Sequence, residues 1–233
     1  MDIENYSKVA PQFYNTSISA LLEKYLKKSS FETFLDCGCG DGSLLWALNK
    51  GEYFKNRKVF AIDLSKKRIS LVKKINPEII ASVDNAETIK TIASGVIDFF
   101  VSTQVIEHVD DVKMVSAISR VTHQGSIIYI STVFKRWYGW YFYRYRGKWV
   151  LDPTHLREYT EDDQLLSKFS SQEFQLLENK KTLQWFPIID FFIKRSKNKN
   201  RKLFENKLLK AIRKIKIPIL GYYNFELVFK KIK

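Results

Sequence analysis

The sequence predicts an α/β fold, a parallel sheet with helices crossing over it, and two observations predict it. Between Phe31 and Phe134, short apolar runs rich in β-branched and aromatic residues alternate with longer segments of helical period. Three alternate glycines, Gly38, Gly40 and Gly42, stand where the first run ends and the first helical segment begins. A chain of 233 residues suits one sizeable core. Apolar residues at 45% and charged residues at 27% exclude a disordered chain.

Taken in order, residues 1–30 read as an N-terminal helical lid, with an aromatic stretch from Tyr6 to Tyr14 and a helix around Ile18 to Leu26. Residues 31–233 form the main domain. Its first five strands are expected at Thr33 to Cys39, Lys58 to Leu64, Ile79 to Val83, Val96 to Thr103 and Ser126 to Phe134. Helices are expected at Gly42 to Asn49, Lys66 to Ile75 and Asp110 to Val121, the last capped near Asp110. Residues 134–160 form an aromatic insertion: Phe134 to Trp149 packs nine aromatic and five basic residues into sixteen positions, which no regular period explains. A helix at Glu161 to Ser170 and a strand at Phe174 to Trp185 follow. A basic helical insertion over residues 186–219, with its helix in Leu203 to Ile215, precedes the last strand at Tyr222 to Lys230.

The net charge of +14 is concentrated in one place. Residues 194–233 hold 14 Lys and Arg against Glu205 and Glu226 and so carry +12, leaving the rest nearly neutral. Such a surface suits an acidic partner, or it is a solvated helix face. The stretch Leu203 to Ile217 reads as a basic amphipathic helix whose apolar face packs on the sheet or rests on a membrane. Peripheral membrane contact through 186–217 is therefore an expectation. The N-terminus lacks a basic stretch followed by an apolar run, and no segment reaches the roughly 18–20 apolar residues of a membrane span, so a cytoplasmic location is expected. Cys37 and Cys39, one residue apart in a glycine turn, suit neither a disulfide framework nor a zinc knuckle.

Asp36-Cys37-Gly38-Cys39-Gly40-Asp41-Gly42 is the segment richest in chemistry. Alternate glycines let the backbone turn tightly and approach a nucleotide-like ligand closely, although structural turns use them too. Asp63, at the end of the second strand, lies 21 residues beyond Gly42 and can accept hydrogen bonds from both hydroxyls of a ribose. Its competing role is to cap the helix that starts near Ser65.

The Asp-x-Gly-x-Gly-x-Gly pattern resembles the first motif of class I S-adenosylmethionine-dependent methyltransferases rather than the Gly-x-Gly-x-x-Gly dinucleotide fingerprint. Asp84-Asn85-Ala86-Glu87 resembles the acidic stretch that contacts adenine, and Gln104-Val105-Ile106-Glu107-His108-Val109 resembles the family's fourth-strand motif. Asp152 to Thr160 looks like the His-x-Arg-x-Tyr-Thr segment of small-molecule, quinone-biosynthesis-like (type 11-like) members. The resemblance spans about residues 6 to 185.

It implies a Rossmann-like sheet of about seven strands, mostly parallel with an antiparallel final strand, flanked by helices, and S-adenosylmethionine as cofactor. Asp36, Gly38, Gly40 and Gly42 would surround the methionine part, with Asp63 and the adjacent Leu64 at the ribose. Asp84, Asn85 and Ala86 would line the adenine pocket, with Gln104 below the methionine chain. In one departure from the pattern, Asn85 holds the usual acidic place, so whether Asp84 or Asn85 meets the adenine amine stays open.

Methyl transfer from a sulfonium mainly requires aligned reactants and excluded water. If the acceptor is a hydroxyl, His155 is the preferred proton acceptor and His108 the alternative. Each has a structural reading too, His155 as a turn residue beside Pro153 and His108 as a packing residue. Quinone-pathway relatives hold a cation with Glu-x-x-Glu-His; Gln104 replaces the first Glu here, so no metal is expected. His123 reads as a helix C-cap.

The aromatic insertion suits a hydrophobic or lipid-like acceptor, and O-methylation of such a small molecule is the expected activity. Its interleaved basic residues, Lys135, Arg136, Arg144, Arg146 and Lys148, also suit seating at an anionic membrane interface or stacking on single-stranded nucleic acid, and the latter makes an RNA methyltransferase the first alternative. A non-catalytic S-adenosylmethionine-binding scaffold is the second. The sequence leaves the oligomeric state open.

Overall fold

The computed structural model describes residues 17–145, 147–189 and 207–233, with no side-chain detail at 207, 209 and 210. Its main sheet has seven strands. In chain order these are β1 (Thr33–Cys37), β2 (Lys58–Asp63), β3 (Ile80–Val83), β4 (Ile97–Thr103), β5 (Thr122–Lys135), β8 (Phe174–Pro187) and β9 (Lys216–Lys231), while β6 (Tyr143–Tyr145) and β7 (Lys148–Val150) form a separate hairpin. The spatial order is β3-β2-β1-β4-β5-β9-β8. β1 to β5 pair in parallel, and β9 runs antiparallel to both neighbours. The expected arrangement, mostly parallel with an antiparallel final strand, is therefore present.

Helices α1 (Ala20–Lys28), α2 (Ser43–Lys50), α3 (Lys66–Val72), α4 (Asp111–Val121), α5 (Asp163–Ser170) and α6 (Lys207–Ile212) complete the described elements. Two apolar clusters cover the faces of the sheet. One seats α4 and α5 against Phe100, Phe134, Phe225 and Phe229, with Phe169 stacked on Phe229 at 4.1 Å. The other seats Leu21, Leu22, Tyr25 and Leu26 of α1, with α2 and α3, against Phe34, Phe99 and Tyr129. Ser19 caps α1 by accepting from the Leu21 amide and also bonds Glu226, a buried carboxylate on β9 that accepts from the Tyr129 hydroxyl at 2.5 Å. The first helix is thereby tied to the sheet. The segment from Tyr6 to Tyr14 lies outside the described residues.

Several boundaries differ from the sequence reading, each for a local reason. β1 stops at Cys37 because Gly38 takes φ +75°, which ends extended structure. Gly42, at φ +82°, precedes α2 rather than belonging to it. α3 ends at Val72, ahead of Asn76-Pro77, where proline disfavours helix in the residue before it. His123 does not cap a helix: it lies in β5 and its Nε2 sits 2.8 Å from Asp98 Oδ1.

β9 starts at Lys216, six residues before the expected Tyr222, because Pro218 and Gly221 obscure its strand pattern. β8 continues to Pro187, so paired strand occupies both margins of the segment read as a helical insertion. Within that segment residues 188 and 189 are described as helix, as is Lys207–Ile212. Its described flank does not pack on the sheet, since Ile212 and Ile215 are exposed. The remainder, including Phe191, Phe192, Ile193, Leu203 and Phe204, lies outside the described residues. No helix among the described residues is long and apolar enough to cross a membrane.

Candidate active site

The carboxyl ends of β1 to β5 gather the sequence motifs on one edge of the sheet. After β1, the Gly38 and Cys39 amides donate to the Ile62 carbonyl at 2.8 and 2.9 Å, which folds the glycine loop over the end of β2. The glycines then divide their roles. A Cβ on Gly38 would lie 2.3 Å from Val105 Cγ2, and one on Gly42 would lie 2.4 Å from Ile75 Cδ1, so both are required by packing as well as by positive φ. A Cβ on Gly40 would meet nothing within 4 Å. The middle glycine therefore presents bare backbone to open space.

Asp63 faces that loop. Its Oδ2 accepts from the Gly40 amide at 3.0 Å and its Oδ1 from the Ser65 amide at 2.9 Å, with Arg68 Nη1 at 3.5 Å from Oδ2. The carboxylate joins the glycine loop to the start of α3, the contact that its helix-start reading anticipates. Asp36 is buried with neither carboxylate oxygen hydrogen-bonded. Desolvation and the nearby charge of Asp63 push its pKa up to about 7. An orphaned buried carboxylate beside an open glycine backbone suits an ammonium-bearing ligand with a ribose, and the α-ammonium and sugar of S-adenosylmethionine fit that description.

The other predicted cofactor residues take distinct places. The Asp84 carboxylate accepts from the Asn85 amide and from both the amide and hydroxyl of Thr91, each at 2.7 Å. Burial opposes its ionisation, but these bonds outweigh burial and hold it below the usual carboxylate range. Asn85 Oδ1 accepts from the Glu87 amide at 2.8 Å, so both residues shape the turn after β3. Ala86 is buried in the core cluster and Leu64 is exposed. Gln104 has φ +56°, a conformation side-chain-bearing residues rarely adopt, and its Nε2 donates to Asn224 Oδ1 at 3.1 Å. Asn224 belongs to β9 and escaped the sequence reading.

Two distant segments meet on the acceptor side. A short 3₁₀ turn, Ile106–His108, follows β4, and the segment from Asp152 to Thr160 folds back over it. The Leu156 amide donates to the Glu107 carbonyl at 2.9 Å, and Arg157 donates to the carbonyls of Ile106 and Val109. Arg157 Nε also lies 3.5 Å from Asp111 Oδ2, which accepts from the Tyr159 hydroxyl at 2.9 Å. Alternate residues of the His-x-Arg-x-Tyr stretch thus hold one segment to the other. The result brings the His108 and His155 rings to 4.7 Å, edge to face.

Each histidine has one nitrogen already engaged. His108 Nδ1 lies 3.1 Å from Thr154 Oγ1 and 3.3 Å from its carbonyl, while His155 Nδ1 lies 3.2 Å from Glu158 Oε1. Burial, with the neighbouring His155, lowers the His108 pKa. Glu158 is the residue that sequence reasoning missed. It accepts from the Leu151 amide at 2.6 Å and the Tyr222 hydroxyl at 3.2 Å, with Lys135 Nζ at 3.6 Å, so it is firmly placed behind His155. Its signal was its position three residues after His155 within the motif. Glu107 is buried, with Oε2 accepting from Thr132 at 2.9 Å and Oε1 without a partner, and desolvation pushes it up to about 7. Potential ligand atoms of Glu107, His108 and His155 all lie within 4.8 Å of one another.

Comparison with known proteins agrees with this architecture. Residues 35–130 match a family model described as a methyltransferase domain. The chain superposes on the YcgJ protein of Bacillus subtilis with a TM-score of 0.60 at 15% identity, over 91% of this chain and 98% of that one. Geranyl diphosphate C-methyltransferase of Streptomyces coelicolor A3(2), solved with Mg2+, geranyl diphosphate and S-adenosyl-L-homocysteine, gives a TM-score of 0.57 at 14% identity, over 86% and 74%. The [4+2]-cyclase SpnF gives 0.60 at 15% identity, over 91% and 80%. No curated protein matches the chain in sequence.

The fold is that of class I methyltransferases. Residues 35–130 carry the match to a methyltransferase domain, which with the fold supports an S-adenosylmethionine-dependent methyltransferase, and S-adenosylmethionine is the expected cofactor.

Proposed function

We propose that the chain methylates an oxygen of a small or lipid-like acceptor, with His155 as the general base. The observation that carries this reading is the His155–Glu158 pair at the acceptor edge of the sheet. A carboxylate at Nδ1 favours the tautomer that donates there, which leaves Nε2 basic and able to take a proton from a hydroxyl. Glu158, itself fixed by Leu151 and Tyr222, orients the ring and stabilises its charge once protonated.

S-adenosylmethionine, when bound, supplies a methyl carbon already activated by the positive sulfonium. On the protein side, Asp36 would hold the cofactor's ammonium and Asp63 its ribose. Gln104, anchored by Asn224, would lie along the methionine chain. Leu64 would lie beside Asp63 at the ribose, and Asp84, Asn85 and Ala86 would border the adenine. His155 would take the proton of the acceptor hydroxyl, so that the oxygen can receive the methyl group that the sulfonium gives up in becoming a neutral thioether. The lipid-like character of the acceptor is supported by the aromatic insertion and by the prenyl diphosphate seated in a solved relative of the same fold.

Incubation of cell extract with radiolabelled S-adenosylmethionine, followed by separation into lipid, small-metabolite and RNA fractions, tests the acceptor class. Label in the first two fractions is expected, and label confined to RNA would overturn the reading. Chelator treatment is expected to leave turnover unchanged, with Glu107, His108 and His155 handling protons only. Lost activity restored by a divalent cation would reassign that cluster.

A further inference from the structure

We propose that the aromatic hairpin and the adjoining tips of β8 and β9 form a surface that docks on an anionic lipid bilayer. The hairpin is rooted, not loose. The Arg136 amide donates to the Gly221 carbonyl at 2.8 Å, and the backbones pass so closely that a Cβ on Gly221 would lie 2.4 Å from Gly139 Cα. Tyr141 turns inward to a small cluster with Val133, Ile219 and Tyr222. Beyond that root, the large side chains point to solvent. Trp137 is 92% exposed, and Trp140 and Trp149 lean on each other at 5.6 Å instead of entering a core.

The strand tips extend the same surface. The Trp140 amide lies 3.4 Å from the Leu220 carbonyl, and Leu220 is 65% exposed. Trp185 pairs in register with Pro218, and Trp185 and Ile217 are both exposed. An apolar surface mixing indole rings with branched aliphatics suits the boundary between headgroups and acyl chains, where Trp concentrates and aliphatic side chains bury. Stacking on bases would use the rings and leave Leu220 and Ile217 without a role.

Charge selects the partner. Arg136, Arg144 and Lys148 are exposed among the rings, and the sequence places no acidic residue between Phe134 and Leu151 or between Asn206 and Phe225. A second copy presenting this face would bring like charges together, whereas an anionic leaflet complements them. The surface lies at the carboxyl ends of the parallel strands, the edge that carries Gly40, Asp63 and His155. The sequence allows membrane contact at residues 186–217 and at the aromatic insertion, and the exposed rings of the hairpin favour the insertion as its centre. The proposal stands apart from the acceptor reading, since docking does not require that the methyl acceptor be a lipid.

Flotation of the full chain with phosphatidylcholine vesicles, with and without about 30 mol % phosphatidylglycerol, tests it. Association with the mixed vesicles alone is expected, with a blue shift in tryptophan emission. The double variant Trp137→Ser/Trp140→Ser should bind about ten-fold or more weakly, because two interfacial anchors are removed. Its S-adenosylmethionine affinity and melting temperature should match the parent's, which shows that the fold is intact. Absent vesicle binding, equal binding to neutral vesicles, or parent-like binding by the variant would overturn the proposal. So would a parental dimer that the double substitution dissociates, or vesicle-independent RNA binding that it weakens. Label confined to RNA in the extract experiment would sink the acceptor reading and leave docking intact.

Discussion

The two halves of the sheet are specified in different ways. From β1 to β4, backbone geometry and single carboxylates define the site, and the essential contacts lie close together in sequence: Asp63 reaches Gly40, Ser65 and Arg68. From β5 to β9, the site depends on contacts between segments about fifty residues apart, such as Arg157 to Val109, and on side chains such as Glu158 whose partners come from β9 and the hairpin. The cofactor half of the proposed site is set by local backbone geometry, and its acceptor half by side chains that tertiary folding assembles.

The largest expected effect breaks the acceptor half alone. His155→Ala should lower kcat by about 10²–10⁴-fold, the usual worth of a positioned general base, with S-adenosylmethionine affinity by calorimetry unchanged. Glu158→Gln should cause a smaller loss in the same direction, since the ring remains but its orienting charge is gone. Unchanged turnover in His155→Ala would remove the base assignment.

Asp63→Ala breaks the cofactor half. Losing two hydrogen bonds to a charged group, each worth roughly 1.5–3 kcal/mol, should weaken S-adenosylmethionine binding by about 100-fold or more. Direct titration checks it, and near-parental affinity would place the ribose elsewhere.

The glycine loop sharpens the comparison within that half. Gly42→Ala must displace Ile75 and also strains a left-handed backbone, so it should lower the melting temperature by several degrees, about 2–4 °C for each kcal/mol lost. Gly40→Ala meets no neighbour and carries only the conformational strain, about 1–2 kcal/mol. It should reduce cofactor affinity by a larger factor than Gly42→Ala does. Thermal melts alongside calorimetry separate the two effects.

Asp36 gives the most specific effect, one that depends on pH. Burial raises its folded pKa to about 7, above its ordinary value, so its ionisation costs stability progressively as pH rises toward 7. Asp36→Asn should therefore stabilise the cofactor-free protein more at pH 8 than at pH 5. An incoming ammonium favours the ionised form, so S-adenosylmethionine should bind more tightly as pH rises to about 7, releasing a proton. Calorimetry in buffers of different ionisation enthalpy would detect that proton, and its persistence in Asp36→Asn would assign it to another group.

Much of the first half was legible from sequence because its determinants are local: alternating apolar runs, glycines needing positive φ, and an acid at a strand end. Even there, Gly38 ended β1 two residues early, because one left-handed residue outweighs the β preference of its neighbours. The second half hid more. Pro218 and Gly221 masked the start of β9, yet they occur where the strand lies beside the hairpin root and where backbones cross. Glu158 occupies an unspecified position of the His-x-Arg-x-Tyr-Thr pattern; only the return of β9, bringing Tyr222, makes it a fixed partner for His155. Asn224 was invisible for the same reason.

The crossing of Gly139 and Gly221 has an engineering consequence. No side chain fits at that junction, so main chain closes the crossing, while Tyr141, packed on Val133, Ile219 and Tyr222, and the Trp149 carbonyl, which accepts from the Tyr222 hydroxyl, hold the rest of the base. Loops of other composition, spliced between Phe142 and Lys148, would keep that seat above an unaltered cofactor cradle, which makes this joint a natural place to retarget the enzyme.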